Sequence, residues 1–221
     1  MKVFAVIPAH NEGRRIRDVV EKILTRFSNI VVVNDGSRDQ TGEALKSLPI
    51  YYCEHAVNLG QGAALKTGTE LAISLGADVI VHVDADGQHR VEDVGNVVAA
   101  LDEHNVDVAL GSRFLTIVSD IPKKKRAILR LANLFLRVAL RIKISDPQNG
   151  LRAFKSSIWP KIKFDYDDFR HCTEVLFLIK KNNVAFIEIP VKIDYDEYSC
   201  SKESQPSAKM GAQILVDELL K

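Results

Sequence analysis

The sequence has few of the features that mark several large classes of protein. Its 221 residues include three cysteines, Cys53, Cys172 and Cys200, whose spacing fits neither a disulfide framework nor a CxxC metal site. We therefore expect free thiols in a reducing compartment. No stretch reaches the roughly 18 uncharged apolar residues that a bilayer-spanning helix needs. The N-terminal KVFAVIPAHNE also lacks the pattern of a signal peptide. These absences predict a protein that is soluble or peripheral to a membrane.

The formal net charge is low, at +1, but the charge is unevenly distributed. Between Ile121 and Ser145 there are eight basic residues and no acidic one, whereas the remainder has 22 basic and 29 acidic residues. Arg126, Arg130, Arg137 and Arg141 fall on one stripe of a helix that also has leucine and phenylalanine, which predicts a basic amphipathic helix at about 123–143 on an anionic membrane surface. The alternative is a core helix with a solvated charged edge. We expect no nucleic-acid partner, and a membrane protein partner could also supply membrane contact.

The N-terminal half alternates short apolar runs with helical patterns, which predicts a mostly parallel central sheet with helices on both faces. The predicted strands are Val3–Ile7, Ile30–Val33, Ile50–Cys53, Val79–Val83 and Val106–Leu110. The predicted helices lie near 12–27, 39–47, 61–75 and 91–103. In the second half we predict helices near 156–161, 172–182 and 207–220, and a strand at 185–189. No linker divides the chain, so we predict a single α/β domain over 1–221, with halves at 1–114 and 115–221.

Four of the predicted strands end in polar turns, and in such sheets ligands bind beyond the carboxyl ends of the strands. The sharpest turn is Asp84-Ala85-Asp86-Gly87-Gln88. Two carboxylates and an amide in a tight turn are oxygen donors suited to Mg²⁺ or Mn²⁺, which would leave positions open for phosphate oxygens. The alternative is an acidic turn that caps the following helix.

Two further motifs favour a nucleotide ligand. Asp35 follows the second strand, and its carboxylate can accept the imino N–H of uracil or guanine, although turn chemistry explains it equally well. The segment Asn58–Gly68 places glycines before a helix, whose N-terminal N–H groups can face a phosphate. A turn with tight helix packing explains this segment about as well, and it matches neither GxGxxG nor GxxxxGK[ST].

The segments VIPAHNE, VVVNDGSRDQT, NLGQGAALKTG and VDADGQH occur in this order, and together they resemble family 2 glycosyltransferases of the GT-A fold. The resemblance covers roughly residues 1–160. GSRF at 111–114 and SDPQNGLRAF at 145–154 resemble the branch that makes polyprenyl-phosphate sugars, such as the dolichyl-phosphate mannose synthases.

The resemblance implies a role for each matching residue. A nucleotide-sugar donor would be held by Pro8, Ala9, Asn11, Glu12, Asp35, Gly62, Lys66 and Asp84. A Mg²⁺ or Mn²⁺ cofactor would be held by Asp84, Asp86 and Gln88. The catalytic residues would be Asp86, Arg113, Asp146 and Glu174. The phosphate of a polyprenyl acceptor would be met by Arg113, Lys125, Arg126, Arg130, Arg152 and Lys202.

The resulting hypothesis is a metal-dependent, inverting hexosyltransferase that moves a sugar from a UDP- or GDP-sugar to polyprenyl or dolichyl phosphate. It would act as a peripheral protein on the cytoplasmic face of the membrane. Thr173 stands before Glu174 where the family often has Gln, and a structural role for Glu174 is an open alternative.

Three other functions fit part of the pattern. The same fold could act on a glycan or another hydroxyl, for which Asp146 or Glu174 would serve as the base. A nucleotidyltransferase would share the sheet and the acidic turn but release pyrophosphate. A non-catalytic nucleotide-sugar-binding membrane adaptor is the third.

Overall fold

The computed structural model describes residues 1–115 and 144–194, which form one seven-stranded sheet with helices on both faces. The strands are β1 (Val3–Ala9), β2 (Ile30–Asn34), β3 (Tyr51–Glu54), β4 (Val79–His82), β5 (Val108–Ser112), β6 (Arg152–Lys155) and β7 (Phe186–Pro190). The α-helices are α1 (Ile16–Leu24), α2 (Thr41–Leu45), α3 (Gln61–Ser74), α4 (Val91–Glu103), α5 (Trp159–Ile162) and α6 (His171–Lys181). A 3-10 turn at Ser156–Ile158 precedes α5.

The sheet has the strand order β3-β2-β1-β4-β6-β5-β7. The pairs β1–β2, β2–β3, β1–β4 and β5–β7 are parallel, whereas β6 is antiparallel to both β4 and β5. The predicted mostly parallel α/β sheet is confirmed. The strand β6 was not predicted, because its four residues begin with Arg152 and end with Lys155 and so lack a long apolar run.

The two faces of the sheet carry separate hydrophobic cores, and the alternation along β1 shows why. Phe4 and Val6 belong to the core that α3 and α6 cover, while Ala5 and Ile7 belong to the core that α1 and α4 cover. Side chains alternate between faces with a period of two in a strand, so a continuous apolar run supplies both cores. This packing holds the carboxyl ends of β1, β2 and β4 at one edge.

Helix α3 lies close to the sheet because it has a glycine at the contact. A Cβ atom added to Gly68 would lie 2.5 Å from Cγ1 of Val6 on β1, so a larger residue would push the helix away. The N-terminus of α3 is therefore held near the ends of the parallel strands.

Two predicted elements, the basic helix at about 123–143 and the final helix at 207–220, lie outside the described residues. Within the ranges 1–115 and 144–194, no helix is both long and apolar enough to cross a membrane.

Candidate active site

A cavity of about 440 Å³ lies beyond the carboxyl ends of β1, β2 and β4. Its wall includes residues from all three strand ends and from the segments that face them: Pro8, Ala9, His10, Glu12, Asp35, Asn58, Gln61, Asp84, Ala85, Asp86, Gln148, Gly150, Phe169 and Cys172. Six residues predicted to bind donor or metal are therefore brought together: Pro8, Ala9, Glu12, Asp35, Asp84 and Asp86. The placement follows from the parallel arrangement, in which successive strands end at the same edge.

Asp84 follows β4 and is held by two side chains from different elements. Gln61 Nε2 donates to its Oδ1 at 2.9 Å, and His89 Nε2 donates to its Oδ2 at 3.3 Å. Burial acts to raise the pKa of Asp84. The hydrogen bond from His89 and the positive charges of His89, Arg152 and His171 outweigh burial and lower that pKa overall. Asp84 is therefore a fixed carboxylate at neutral pH.

Asp86 lies in the same wall. Burial and the negative charge of Asp84 raise the pKa of Asp86 to about 6. Its Oδ1 accepts a hydrogen bond from the backbone N–H of Gln88 at 3.0 Å, so the turn aims the carboxylate. A divalent cation between Asp84 and Asp86 would offset their repulsion, and the two carboxylates suit a hard cation.

The described residues contain no group of three or more His, Cys, Asp or Glu side chains that could hold a metal. Mg²⁺ in nucleotide sites is commonly held by one or two carboxylates, with substrate phosphates and water completing the coordination. Asp84 and Asp86 fit that arrangement. Gln88 is half-buried in the same turn, and its predicted role as a metal ligand stays a prediction.

Asn11 lies beside the cavity wall, where it joins the turns that follow β1 and β2. Its backbone N–H donates to Ser37 Oγ at 2.9 Å, and its Oδ1 accepts from the backbone N–H of Arg38 at 2.9 Å. It adopts a φ of 55°, a conformation that asparagine tolerates better than most residues. These contacts give Asn11 a role in shaping the β1 turn.

Gly62 and Lys66, which are predicted to contact the nucleotide, lie against a segment that precedes the last described helix. A Cβ on Gly62 would lie 2.3 Å from the carbonyl oxygen of Tyr166, and the backbone N–H of Ala63 donates to the carbonyl of Asp167 at 3.1 Å. Lys66 Nζ lies 2.7 Å from Asp167 Oδ1. The segment 165–167 therefore covers the start of α3, and tight packing explains the glycine better than a phosphate cradle does.

Glu174 is buried in the first turn of α6 and orders the same segment. Its two carboxylate oxygens accept hydrogen bonds from the backbone N–H groups of Asp165 at 2.9 Å and Tyr166 at 3.0 Å. Glu174 is not part of the cavity wall. These contacts favour the structural alternative for Glu174, and its catalytic role stays a prediction.

Arg113 and Asp146 form a bidentate ion pair at the end of β5. Arg113 Nε lies 2.6 Å from Asp146 Oδ2, and Arg113 Nη2 lies 2.7 Å from Asp146 Oδ1. Ser145 and the backbone N–H of Asp146 are in turn bound to Glu188 on β7. The pair joins the residues on either side of the segment 116–143, which lies outside the described residues together with the predicted phosphate contacts Lys125, Arg126, Arg130 and Lys202.

Arg152 lies on β6 beneath the cavity and is only 3% exposed. Its Nη2 is 3.3 Å from both His171 Nε2 and Cys172 Sγ. The positive charge of Arg152 helps to lower the pKa of Asp84. This burial favours an electrostatic role for Arg152, and its contact with an acceptor phosphate stays a prediction.

Sequence reasoning missed Cys172, which it treated as an incidental thiol. Cys172 lines the cavity, and although burial acts to raise its pKa, the charges of His171 and Arg152 lower it to about 7. The neighbouring His171 was a signal for Cys172 that the sequence shows, whereas Arg152 approaches Cys172 only in the folded chain.

Sequence reasoning also missed Gln61, although this residue lies inside the glycine-bearing motif. Gly150 is required because a Cβ there would lie 2.3 Å from Asp84 Oδ2.

The comparisons with known proteins show the family of this chain. The sequence model described as glycosyl transferase family 2 matches residues 4–162, which contain every strand end that lines the cavity. The chain belongs to glycosyl transferase family 2. The family membership suggested by the ordered motifs is thereby confirmed.

Two relatives and one solved structure show what this member of the family is similar to. The chain is 31% identical to the UDP-N-acetylglucosamine–dolichyl-phosphate N-acetylglucosaminyltransferase of Methanococcus voltae, over 90% of this chain and 88% of that protein. It is 27% identical to the polyprenol monophosphomannose synthase of Mycolicibacterium smegmatis, over 92% of this chain and 81% of that protein.

The fold is similar to the crystal structure of glucosyl-3-phosphoglycerate synthase from Mycobacterium tuberculosis in complex with Mn²⁺, UDP-glucose and phosphoglyceric acid. The TM-score is 0.72 at 18% identity, over 99% of this chain and 79% of that chain. This likeness confirms the predicted GT-A fold.

Proposed function

We propose that the protein is an inverting, metal-dependent glycosyltransferase that moves a sugar from a nucleoside diphosphate sugar to a polyprenyl phosphate. The observation that carries the proposal is the pair Asp84 and Asp86, two half-buried carboxylates in one cavity wall whose repulsion a divalent cation would relieve. The names of the two relatives support the class of acceptor.

The donor side of the proposal uses the wall of the cavity. Pro8, Ala9, Glu12 and Asp35 would contact the nucleoside, since they lie at the ends of β1 and β2. Asp84 and Asp86, with Gln88, would hold Mg²⁺ or Mn²⁺. When bound, the cation would stabilise the charge that builds on the departing diphosphate. Gln61 and His89 keep Asp84 oriented for this role.

The acceptor side needs positive charge more than it needs a base. A phosphate monoester has a second pKa near ~6 and is mostly dianionic at neutral pH, so it is already a nucleophile. Arg113, which Asp146 fixes at the end of β5, would position that phosphate. Attack on the sugar opposite the leaving diphosphate would invert the anomeric centre.

The place of action follows from the acceptor. A polyprenyl phosphate stays in the bilayer, so the protein would work at the cytoplasmic face as a peripheral protein. The basic segment at about 123–143, which includes Lys125, Arg126 and Arg130, would provide contact with anionic lipid.

The test is transfer of label to lipid. The purified chain is incubated with Mn²⁺, polyprenyl phosphate and a panel of radiolabelled nucleotide sugars, and the organic phase is counted. We expect label in the organic phase with one donor, and its loss when EDTA is added. No lipid-linked label with any donor would contradict the proposal.

Replacing Asp146 with asparagine separates a phosphate acceptor from a hydroxyl acceptor. If Asp146 only orients Arg113, we expect kcat to fall by roughly tenfold with an unchanged pH profile, because the amide oxygen still accepts one of the two hydrogen bonds. A general base would contribute about 10²–10⁴-fold.

The matched control is Asp107→Asn, which breaks the ion pair with Lys155 at the opposite end of β5. That variant should keep full activity. A loss above 100-fold in the Asp146 variant, together with loss of the acidic limb of the pH profile, would favour a hydroxyl acceptor and contradict our account.

A further inference from the structure

The carboxylate of Asp35, in the cavity wall at the end of β2, is hydrogen-bonded unevenly. Its Oδ1 accepts twice, from His55 Nδ1 at 2.7 Å and from the backbone N–H of Leu59 at 2.9 Å. Its Oδ2 accepts once, from the backbone N–H of Gly60 at 2.8 Å. The side chains of His55 and Asp35 are only 12% and 3% exposed, so water competes little for these positions.

The orientation of His55 is set from the other side of its ring. His55 Nε2 lies 3.0 Å from the hydroxyl oxygen of Thr67 on α3. Because a carboxylate can only accept, Nδ1 of His55 donates to Asp35, and Nε2 is the ring nitrogen that is hydrogen-bonded to the Thr67 hydroxyl. Thr67 and His55 together therefore keep Oδ1 occupied.

The number of hydrogen bonds that the Asp35 carboxylate already accepts limits how many a ligand can donate to it. A carboxylate offers about four acceptor directions, and three are taken, two of them on Oδ1. With the donors of residues 1–115 and 144–194 counted, one direction on Oδ2 is left. Uracil presents a single imino N–H, which needs one acceptor. Guanine presents two adjacent N–H groups, at N1 and N2, that pair with both oxygens of a carboxylate.

We infer that His55 selects the base of the donor: by occupying Asp35 Oδ1 it makes the site specific for a base with one imino N–H, such as uracil, and selects against guanine. A bound guanine would leave one of its N–H groups unpaired in a buried site, which a site built on hydrogen bonds discriminates against strongly. His55 is a positioning residue, since it acts through Asp35. The inference rests on the proposed function and extends it from any nucleoside diphosphate sugar to a UDP-sugar.

The experiment compares the dissociation constants of UDP, GDP and CDP by calorimetry with Mn²⁺ present. We expect the wild-type chain to bind UDP at least about tenfold more tightly than GDP. Cytosine lacks the imino N–H, so CDP should also bind weakly. In His55→Leu, which frees Oδ1, the UDP-to-GDP preference should fall by about tenfold.

Three further variants make the result specific. His55→Asn keeps an N–H donor near the position of Nδ1 and should restore most of the preference. Thr67→Val removes only the hydroxyl that orients the ring, and should lower the preference even if the leucine variant does not fold. His104→Leu changes an exposed histidine just after α4 and should leave both affinities unchanged.

The outcomes separate the two proposals. Failure to bind any nucleotide would overturn the proposed function and this inference together. Binding of nucleotides with GDP preferred, or with a UDP-to-GDP ratio that His55→Leu and Thr67→Val leave unchanged, would overturn the inference and leave the proposed function standing.

Discussion

Replacing Asp84 with asparagine is expected to lower kcat/KM for sugar transfer by about 10³-fold. Asp84 is hydrogen-bonded to Gln61 and His89, and asparagine has nearly the same shape, so the cavity should keep its form. The variant loses the charge that would hold the cation and, through it, the leaving diphosphate. We therefore expect a large loss of activity with little loss of stability.

The measurement pairs steady-state kinetics with a thermal melt and a Mn²⁺ titration. Asp102→Asn is the matched control, because Asp102 is an exposed aspartate at the C-terminal end of α4 and does not line the cavity. That control should retain wild-type kinetics. If the Asp84 variant keeps more than a tenth of the activity at ordinary Mn²⁺ concentrations, Asp84 is not a metal ligand and the central role given to it is wrong.

Replacing Phe154 with alanine is expected to lower the free energy of unfolding by about 3–5 kcal/mol. Phe154 is fully buried on β6, with its ring edge-on to His82 at a centroid distance of 5.1 Å and stacked on Trp159 at 5.8 Å. Its removal opens a void between the sheet and α5, where close packing leaves neighbours little room to move in.

Urea unfolding followed by fluorescence tests this prediction. The matched control is Phe169→Ala, which deletes the same side chain where it is 49% exposed, and should change stability by less than about 1 kcal/mol. Equal unfolding midpoints for the two variants would show that β6 is not the packed central strand described above.

The strands show most clearly which parts of the fold could be predicted from the sequence. The parallel strands β1, β2 and β4 are apolar runs, so their positions and shared edge could be predicted from local pattern alone. Strand β6 could not, because its place between β4 and β5 depends on pairing with segments distant in the chain. The sequence marks DPQNGLRAF only as a motif, whereas in the structure its last residues belong to this interior strand.

The residues of the site likewise divide into those that the sequence pattern could place and those that it could not. Asp35, Asp84 and Asp86 follow predicted strands, and the sheet geometry brings them into one cavity. The roles predicted for Gly62 and Lys66 stay predictions, but the segment 165–167 packs on the start of α3, and no local pattern reveals such a contact. The geometry of a parallel sheet places the strand ends together, whereas contacts between loops can be seen only in the structure.

The most direct test of the account compares two acceptors that differ only in the phosphate. Transfer of labelled sugar from the preferred donor is measured with polyprenyl phosphate and with the corresponding polyprenol, with Mn²⁺ present. We predict lipid-linked label with the phosphate and none above background with the alcohol, because Arg113 would position a phosphate that is already ionised, whereas an alcohol would need a general base. Equal transfer to both acceptors, or transfer to the alcohol alone, would contradict the proposed reaction.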